Sequence, residues 1–253
     1  MAGHVLEGPA VPNGPVQNKE LNCGVKLLPC CGIIHPSFGR PEERSNPCRD
    51  AAANFIFMHR TIFSTPIVNT VLRALSIAYL RLTGWRVEGS LPPGAEKSVF
   101  IAAPHTSNWD LPYTLMVAFS LRLDLYWMGK EGLFKPPFRG LMMWLGGLPV
   151  NREKSNNLVA ASVAAIKAAT GPLQLTVAPE GSRSKARYWK TGFYHIAVGA
   201  QVPIVMAYLD YGQKRGGLGP VFQPTGNIDA DMADIKAFYA PFKGKNADQF
   251  HAD

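Results

Sequence analysis

At 253 residues, with 47% hydrophobic and only 17% charged positions, the chain is too apolar for a disordered protein and long enough for one sizeable α/β core. Its net charge of +8 is carried entirely by residues 58–253, because residues 1–57 hold five basic and five acidic groups. The folded part is therefore expected to attract anions, and anionic lipid, a phosphate headgroup and nucleic acid all satisfy that sign.

Residues 1–57 contain seven prolines, six glycines and all four cysteines (Cys23, Cys30, Cys31 and Cys48), with no lasting apolar period and no signal-peptide stretch. They read as a flexible tail, dispensable or absent from the natural protein, ahead of a single domain at 58–253. A core without cysteine pairs suits a reducing compartment. Adding His35 to the cysteines gives no common zinc-ligand spacing, so no metal site is expected.

Patterned sequence begins near Met58. From Pro66 to Leu82 the residues Ile67, Val68, Val71, Leu72, Leu75, Ala78, Tyr79 and Leu82 recur at helical spacing, with Asn69, Thr70, Arg73, Ser76 and Arg81 between them. This predicts an amphipathic helix that either packs on its own core or lies on a membrane surface. Arg73 near its middle argues against a span. Beyond Gly84 the pattern alternates. Strands are expected at Ser98–Ala103, Asp124–Met128, Leu148–Val150, Leu173–Ala178 and Pro203–Leu209. Helices are expected at Trp109–Leu121, Asn156–Ala169, Phe193–Ala200 and Asp231–Phe238, with a further apolar segment at Phe138–Leu145. Such alternation predicts an α/β fold with a mixed, mostly parallel sheet flanked by helices.

Chemistry concentrates where strands end. The first of these strands runs into Pro104-His105-Thr106-Ser107-Asn108-Trp109-Asp110, a histidine at a strand-to-helix junction with an aspartate five residues on. With Ser107 or Asn108 as helix cap, Asp110 falls in the first turn and can accept the Nδ1 proton, leaving Nε2 as a base. An imidazole titrates close enough to neutrality to take a proton from an alcohol. A second strand leads into Pro179-Glu180-Gly181-Ser182-Arg183-Ser184-Lys185, and Gly146-Gly147-Leu148-Pro149-Val150-Asn151-Arg152 delivers another arginine. Arg152 and Arg183 together can grip one phosphate headgroup.

Four blocks, HTSNWD, GLPVNR, EGSRS and VPIV, occur in this order, and in them the sequence resembles the glycerolipid acyltransferase family, the lysophosphatidic acid acyltransferase group, over approximately Val68 to Leu209. The resemblance implies that His105 is the catalytic base and Asp110 its orienting partner. It implies an acceptor site of Arg152, Glu180, Gly181, Ser182 and Arg183, where Ser182 replaces the commoner threonine. Lys130 and Lys190 stand in family-like contexts, MGKEGLF and WKTGFYH. Met206 stands where many relatives have a second proline. The domain at 58–253 then becomes an acyltransferase domain of phospholipid biosynthesis, peripheral on the cytoplasmic face of a membrane.

The implied reaction moves a fatty acyl group from acyl-CoA or acyl carrier protein to a lysophospholipid, foremost 1-acylglycerol 3-phosphate, with no further cofactor. Backbone N–H groups near the histidine and aspartate are expected to stabilise the oxyanion. Withdrawing a chain of about 16 carbons into water costs about 12 kcal/mol at about 0.8 kcal/mol per methylene, so the enzyme is expected at the bilayer. The helix at 66–82 and the cluster Phe138, Leu141, Met142, Met143 and Trp144 are candidate contact surfaces. The alternatives are another acceptor such as lyso-ornithine lipid, a thioesterase or lipase, which lacks its GxSxG elbow here, or a non-catalytic lipid-binding protein. Nucleic acid is not expected as a partner, since no recognition module is present.

Overall fold

Residues 97–103 (KSVFIAA) carry almost no surface polarity, and a strand of that kind is stable only with helices on both faces. It becomes the centre of the sheet. The computed structural model describes residues 60–150, 155–183 and 188–250. The expected tail, its cysteines, His35 and Arg152 lie outside the described residues.

In chain order the elements are α1 (Pro66–Leu82), β1 (Arg86–Glu88), β2 (Lys97–Ala103), α2 (Asp110–Leu121), β3 (Leu125–Lys130), α3 (Arg139–Trp144) and β4 (Gly147–Val150). They continue as α4 (Ser155–Ala168), β5 (Leu173–Val177), α5 (Gly192–Ala200), β6 (Ile204–Asp210), β7 (Arg215–Phe222) and α6 (Ile228–Tyr239). The seven strands form one sheet in the order β1-β7-β6-β2-β5-β3-β4. Every neighbouring pair is parallel except β6 with β7. The mixed, mostly parallel sheet expected from the alternation is therefore present.

Side chains of β2 alternate between two cores. Val99 and Ile101 join Leu175, Ile204, Phe193, Ile235 and Tyr239 on one face. Phe100 joins Val205, Leu125, Ala118 and Phe119 on the other, beneath α1 and α2. Because β2 through β6 run the same way, their carboxyl ends share one edge of the sheet, and His105, Lys130, Glu180 and Tyr211 all lie at or just past those ends. Open α/β sheets build their sites there, since loops at that edge converge without interrupting the ladder.

The helix at 66–82 departs from its expected one-sided pattern. Ile67, Val71, Leu75, Tyr79 and Leu82 are exposed, Leu82 at 88%, whereas Ser76 and Leu80 are buried and Val68 and Leu72 pack inward. Its apolar residues therefore serve two faces, one against α2 and one against solvent. No helix among the described residues is long and apolar enough to cross a membrane.

Two strands have no counterpart in the expected elements, β1 and β7. The first has three residues, and the second, RGGLGPVF, is dominated by glycine and proline. Contact explains the glycines. A Cβ on Gly217 would collide with the backbone carbonyl of Glu88 in the neighbouring strand, and one on Gly219 with the ring of Phe238. Gly217→Ala is expected to destabilise the fold by about 1–3 kcal/mol through this overpacking, read as a lower urea midpoint at unchanged slope.

Candidate active site

After β2 the chain turns through residues 104–109 and enters α2 at Asp110, which is 3% exposed. A carboxylate so buried is tolerated only when donors saturate it. Here four do. Asp110 Oδ2 accepts the N–H groups of Thr106 and Ser107, each at 2.8 Å, and faces His105 Nδ1 at 3.1 Å. Its Oδ1 accepts the hydroxyl of Tyr211 at 2.9 Å. Neither Ser107 nor Asn108 caps the helix as expected. Ser107 Oγ accepts the N–H of Trp109, and Asn108 Oδ1 is taken by Arg183, so the aspartate is itself the first helical residue and folds back onto the turn.

The histidine side chain is 30% exposed. With Nδ1–H donated to the aspartate, its Nε2 makes no hydrogen bond among the described residues and is available to a ligand. The N–H groups of His105, Thr106 and Ser107 are all occupied by carboxylates, so these three do not supply the oxyanion donors expected near the pair.

Tyr211 was absent from the sequence expectations. It follows β6, about a hundred residues from Asp110, and no spacing pattern links the two. Its ring sits edge-on to Trp85 and Tyr113, with centroids at 5.1 and 5.6 Å. Burial, then the charge and hydrogen bond of Asp110, push its hydroxyl well above the usual phenol range, so it remains a donor.

Glu180 arrives from the neighbouring strand β5, and its Oε1 accepts the backbone N–H of His105 at 2.8 Å. The residue is 5% exposed and its Oε2 has no partner. The expected acceptor-site glutamate thus faces the protein's own backbone. Burial pushes its carboxyl up to about 8, the His105 N–H opposes that, and the nearby charge of Asp110 adds to it. Gly181 has φ +67°, and a Cβ there would press on the aliphatic end of Lys190, which places that lysine over the turn. Ser182 and Arg183 follow, exposed, and Arg183 donates to Asn108 Oδ1. Lys130 is exposed at the end of β3. The structure therefore brings His105, Asp110, Glu180, Gly181 and Arg183 together and puts Lys130 at the same sheet edge.

A small cavity, open to solvent, lies beside this pair between α2 and the sheet. His105 and Asp110 line it, and Phe100, Val117, Leu125 and Leu218 make much of the remainder apolar. Polar chemistry at one end of an apolar slot suits a ligand with a reactive head and a hydrocarbon tail. Among the described residues no group of three or more His, Cys, Asp or Glu could hold a metal ion.

Comparison with known proteins gives a consistent result. Residues 84–209 match the family model described as Acyltransferase. The 1-acyl-sn-glycerol-3-phosphate acyltransferase of Salmonella typhimurium is 33% identical over 133 residues, covering 49% of this chain and 52% of the relative. The enzymes of that name from Escherichia coli and Haemophilus influenzae are 32% and 28% identical over 49% of this chain, covering 52% and 53% of their own lengths. The chain thus spans about half the length of the curated relatives it matches. The crystal structure of the 1-acyl-sn-glycerophosphate acyltransferase of Thermotoga maritima superposes with a TM-score of 0.50 at 17% identity, covering 76% of this chain and 85% of that one, a similarity of fold.

The raised Glu180 carboxyl has a measurable consequence. Between the ordinary carboxylate range and about 8 it is protonated when folded and ionised when unfolded, so unfolding releases a proton and stability falls as pH rises through that window. Urea unfolding at pH 5, 6.5 and 8 is expected to show this decline, and Glu180→Gln should flatten it.

Proposed function

This chain belongs to the acyltransferase family, and from that premise we propose that it transfers a fatty acyl group from acyl-CoA or acyl carrier protein to the free hydroxyl of 1-acylglycerol 3-phosphate. The observation that carries the reading is the His105–Asp110 pair, 3.1 Å apart and lining a largely apolar cavity.

In this reaction His105 Nε2 takes the proton of the acceptor hydroxyl, whose oxygen attacks the thioester carbonyl. The new C–O bond forms and the C–S bond breaks. The leaving thiolate recovers the proton from the imidazolium. Asp110 orients the ring and offsets its transient charge, and Tyr211 orients Asp110. The carbonyl end of the acyl chain enters the cavity, where methylenes replace water against Phe100, Val117 and Leu218. Arg183 meets the phosphate at the rim. Glu180 positions the loop through the His105 N–H, without touching substrate. A serine nucleophile is unnecessary, because the acceptor alcohol stands in its place.

The exposed stripe of α1 favours a peripheral membrane site over a purely packed helix. Ile67, Val71, Leu75 and Leu82 lie exposed on one solvent-facing side of the helix, and an interfacial bilayer would cover them. Phe138 and Leu141, 61% and 46% exposed, are further apolar side chains open to solvent.

Labelled acyl-CoA and acyl carrier protein thioesters, offered with 1-acylglycerol 3-phosphate, lyso-ornithine lipid and other lysolipids on neutral vesicles, test the reading directly. Transfer to the phosphate monoester above the others is expected, and a preference for water as acceptor would replace it with a thioesterase. His105→Ala should lower kcat by a factor of about 10²–10⁴ with the fold retained, and Asp110→Asn should approach that loss by favouring the wrong tautomer. Tyr211→Phe, which removes only a hydroxyl, is expected to cost about tenfold in kcat with little change in KM. Near-normal turnover in the histidine variant removes the mechanism. Placing Asp at both Ile67 and Leu75 should weaken vesicle sedimentation by more than about tenfold while leaving the fold intact.

A further inference from the structure

Residues beyond 209 lie outside the family match, yet the segment from Gly244 to Gln249 is laid directly on the active-site loop. Asn246 donates twice to Thr106, from its backbone N–H to Oγ1 at 3.1 Å and from its side chain to the carbonyl at 2.8 Å. Gly244 passes so close that a Cβ would stand 2.5 Å from Thr106 Oγ1 and 2.8 Å from its methyl carbon. Gln249, with its amide nitrogen turned inward, reaches the carbonyls of both Thr106 and Arg183. Lys245 is thus pinned on both sides, one residue from each anchor. Its Nζ lies 4.6 Å from the ring centroid of Trp109, which is 54% exposed. Arg183 is tied to Asn108 next door.

Two cations therefore flank residues 108–109, beside His105, and neither is in an ion pair among the described residues. Stacking on an aromatic face fixes an ammonium without neutralising it, so its charge stays available to an anion. Asp248, on the same exposed segment, makes no ion pair with either. A phosphate monoester carries close to two charges near neutral pH, and two fixed cations match it better than one.

We propose that Lys245 is a headgroup-binding residue, the partner of Arg183 in recognising a terminal phosphate monoester on the acceptor. The inference rests on the acyl-transfer reading and adds specificity to it. Lys245 helps discriminate a monoester from a neutral or diester headgroup, so the C-terminal segment adds to the selectivity that Arg183 of the matched region supplies.

The test compares wild type, Lys245→Gln and Lys245→Arg on 1-acylglycerol 3-phosphate and on 1-monoacylglycerol, both in neutral phosphatidylcholine vesicles. Lys245→Gln is expected to raise KM for the phosphorylated acceptor about three- to tenfold with kcat within about twofold, and to leave the monoacylglycerol reaction unchanged. Lys245→Arg should restore most of the difference. Soluble glycerol 3-phosphate should inhibit Lys245→Gln correspondingly less than wild type. An unchanged KM, or an equal loss with both acceptors, overturns the assignment while leaving the acyl-transfer reading in place. A wild type that acylates no lysolipid removes that reading, and this one with it.

Discussion

The site depends on satisfying one carboxyl group in a place with almost no water. Asp110 is buried at the start of α2, where oxygens left without donors would be costly. Four donors prevent this, and they come from three different requirements of the fold. The two backbone N–H groups demand the tight turn after β2, the imidazole demands its position five residues back, and the phenol demands that β6 end beside β2. Loss of any one leaves a lone pair unsatisfied or turns the ring. The local turn and the strand order are consequently one constraint, seen at two distances.

A second carboxyl close by has the opposite solution. Glu180 has one donor, an unpartnered oxygen and a raised titration, whereas Asp110 has four donors. Burial and the neighbouring Asp110 favour the neutral form of Glu180, and its single donor only partly opposes them. The neutral one still serves, since a carboxyl can accept the His105 N–H through its carbonyl oxygen. This separates the two acidic residues of the sequence blocks by role: on the proposed mechanism one answers the imidazolium, and the other holds the loop.

Legibility in the sequence followed the range of the interactions. The β2–α2 junction was readable because His105 and Asp110 meet across five residues, and the sheet was readable because β2, β5 and β6 are apolar runs of strand length. Tyr211 and Lys245 left no such trace, for each meets its partner, Asp110 or Trp109, across a hundred or more residues of intervening chain. The strand β7 hid behind its glycines, whose absent side chains are what let Glu88 and Phe238 approach. Glu180 was readable as part of a block, but its direction was not, since a glutamate after a strand can face ligand or backbone. The face of α1 stayed undecided because its apolar residues cover most of its circumference, and only packing shows which of them α2 takes.

On the proposed function, that last division bears on how the site would meet a lipid. The inward side of α1 rests on α2, the same helix that begins with Asp110 and whose Thr114, Val117 and Ala118 wall the cavity. Between them runs a chain of rings, Tyr79 to Tyr113 at 6.4 Å, Tyr113 to Trp85 at 4.4 Å, and both of these to Tyr211. Tyr79 is 44% exposed on the outer stripe, and Tyr211 donates to the buried aspartate. Aromatic rings packed this way have few alternative rotamers, so the depth at which α1 sits in an interface sets where the cavity and His105 stand relative to it. On the proposed mechanism the apolar stripe is then more than an anchor: it fixes the height of the reacting centre against the layer that holds both the acceptor's hydroxyl and its chain.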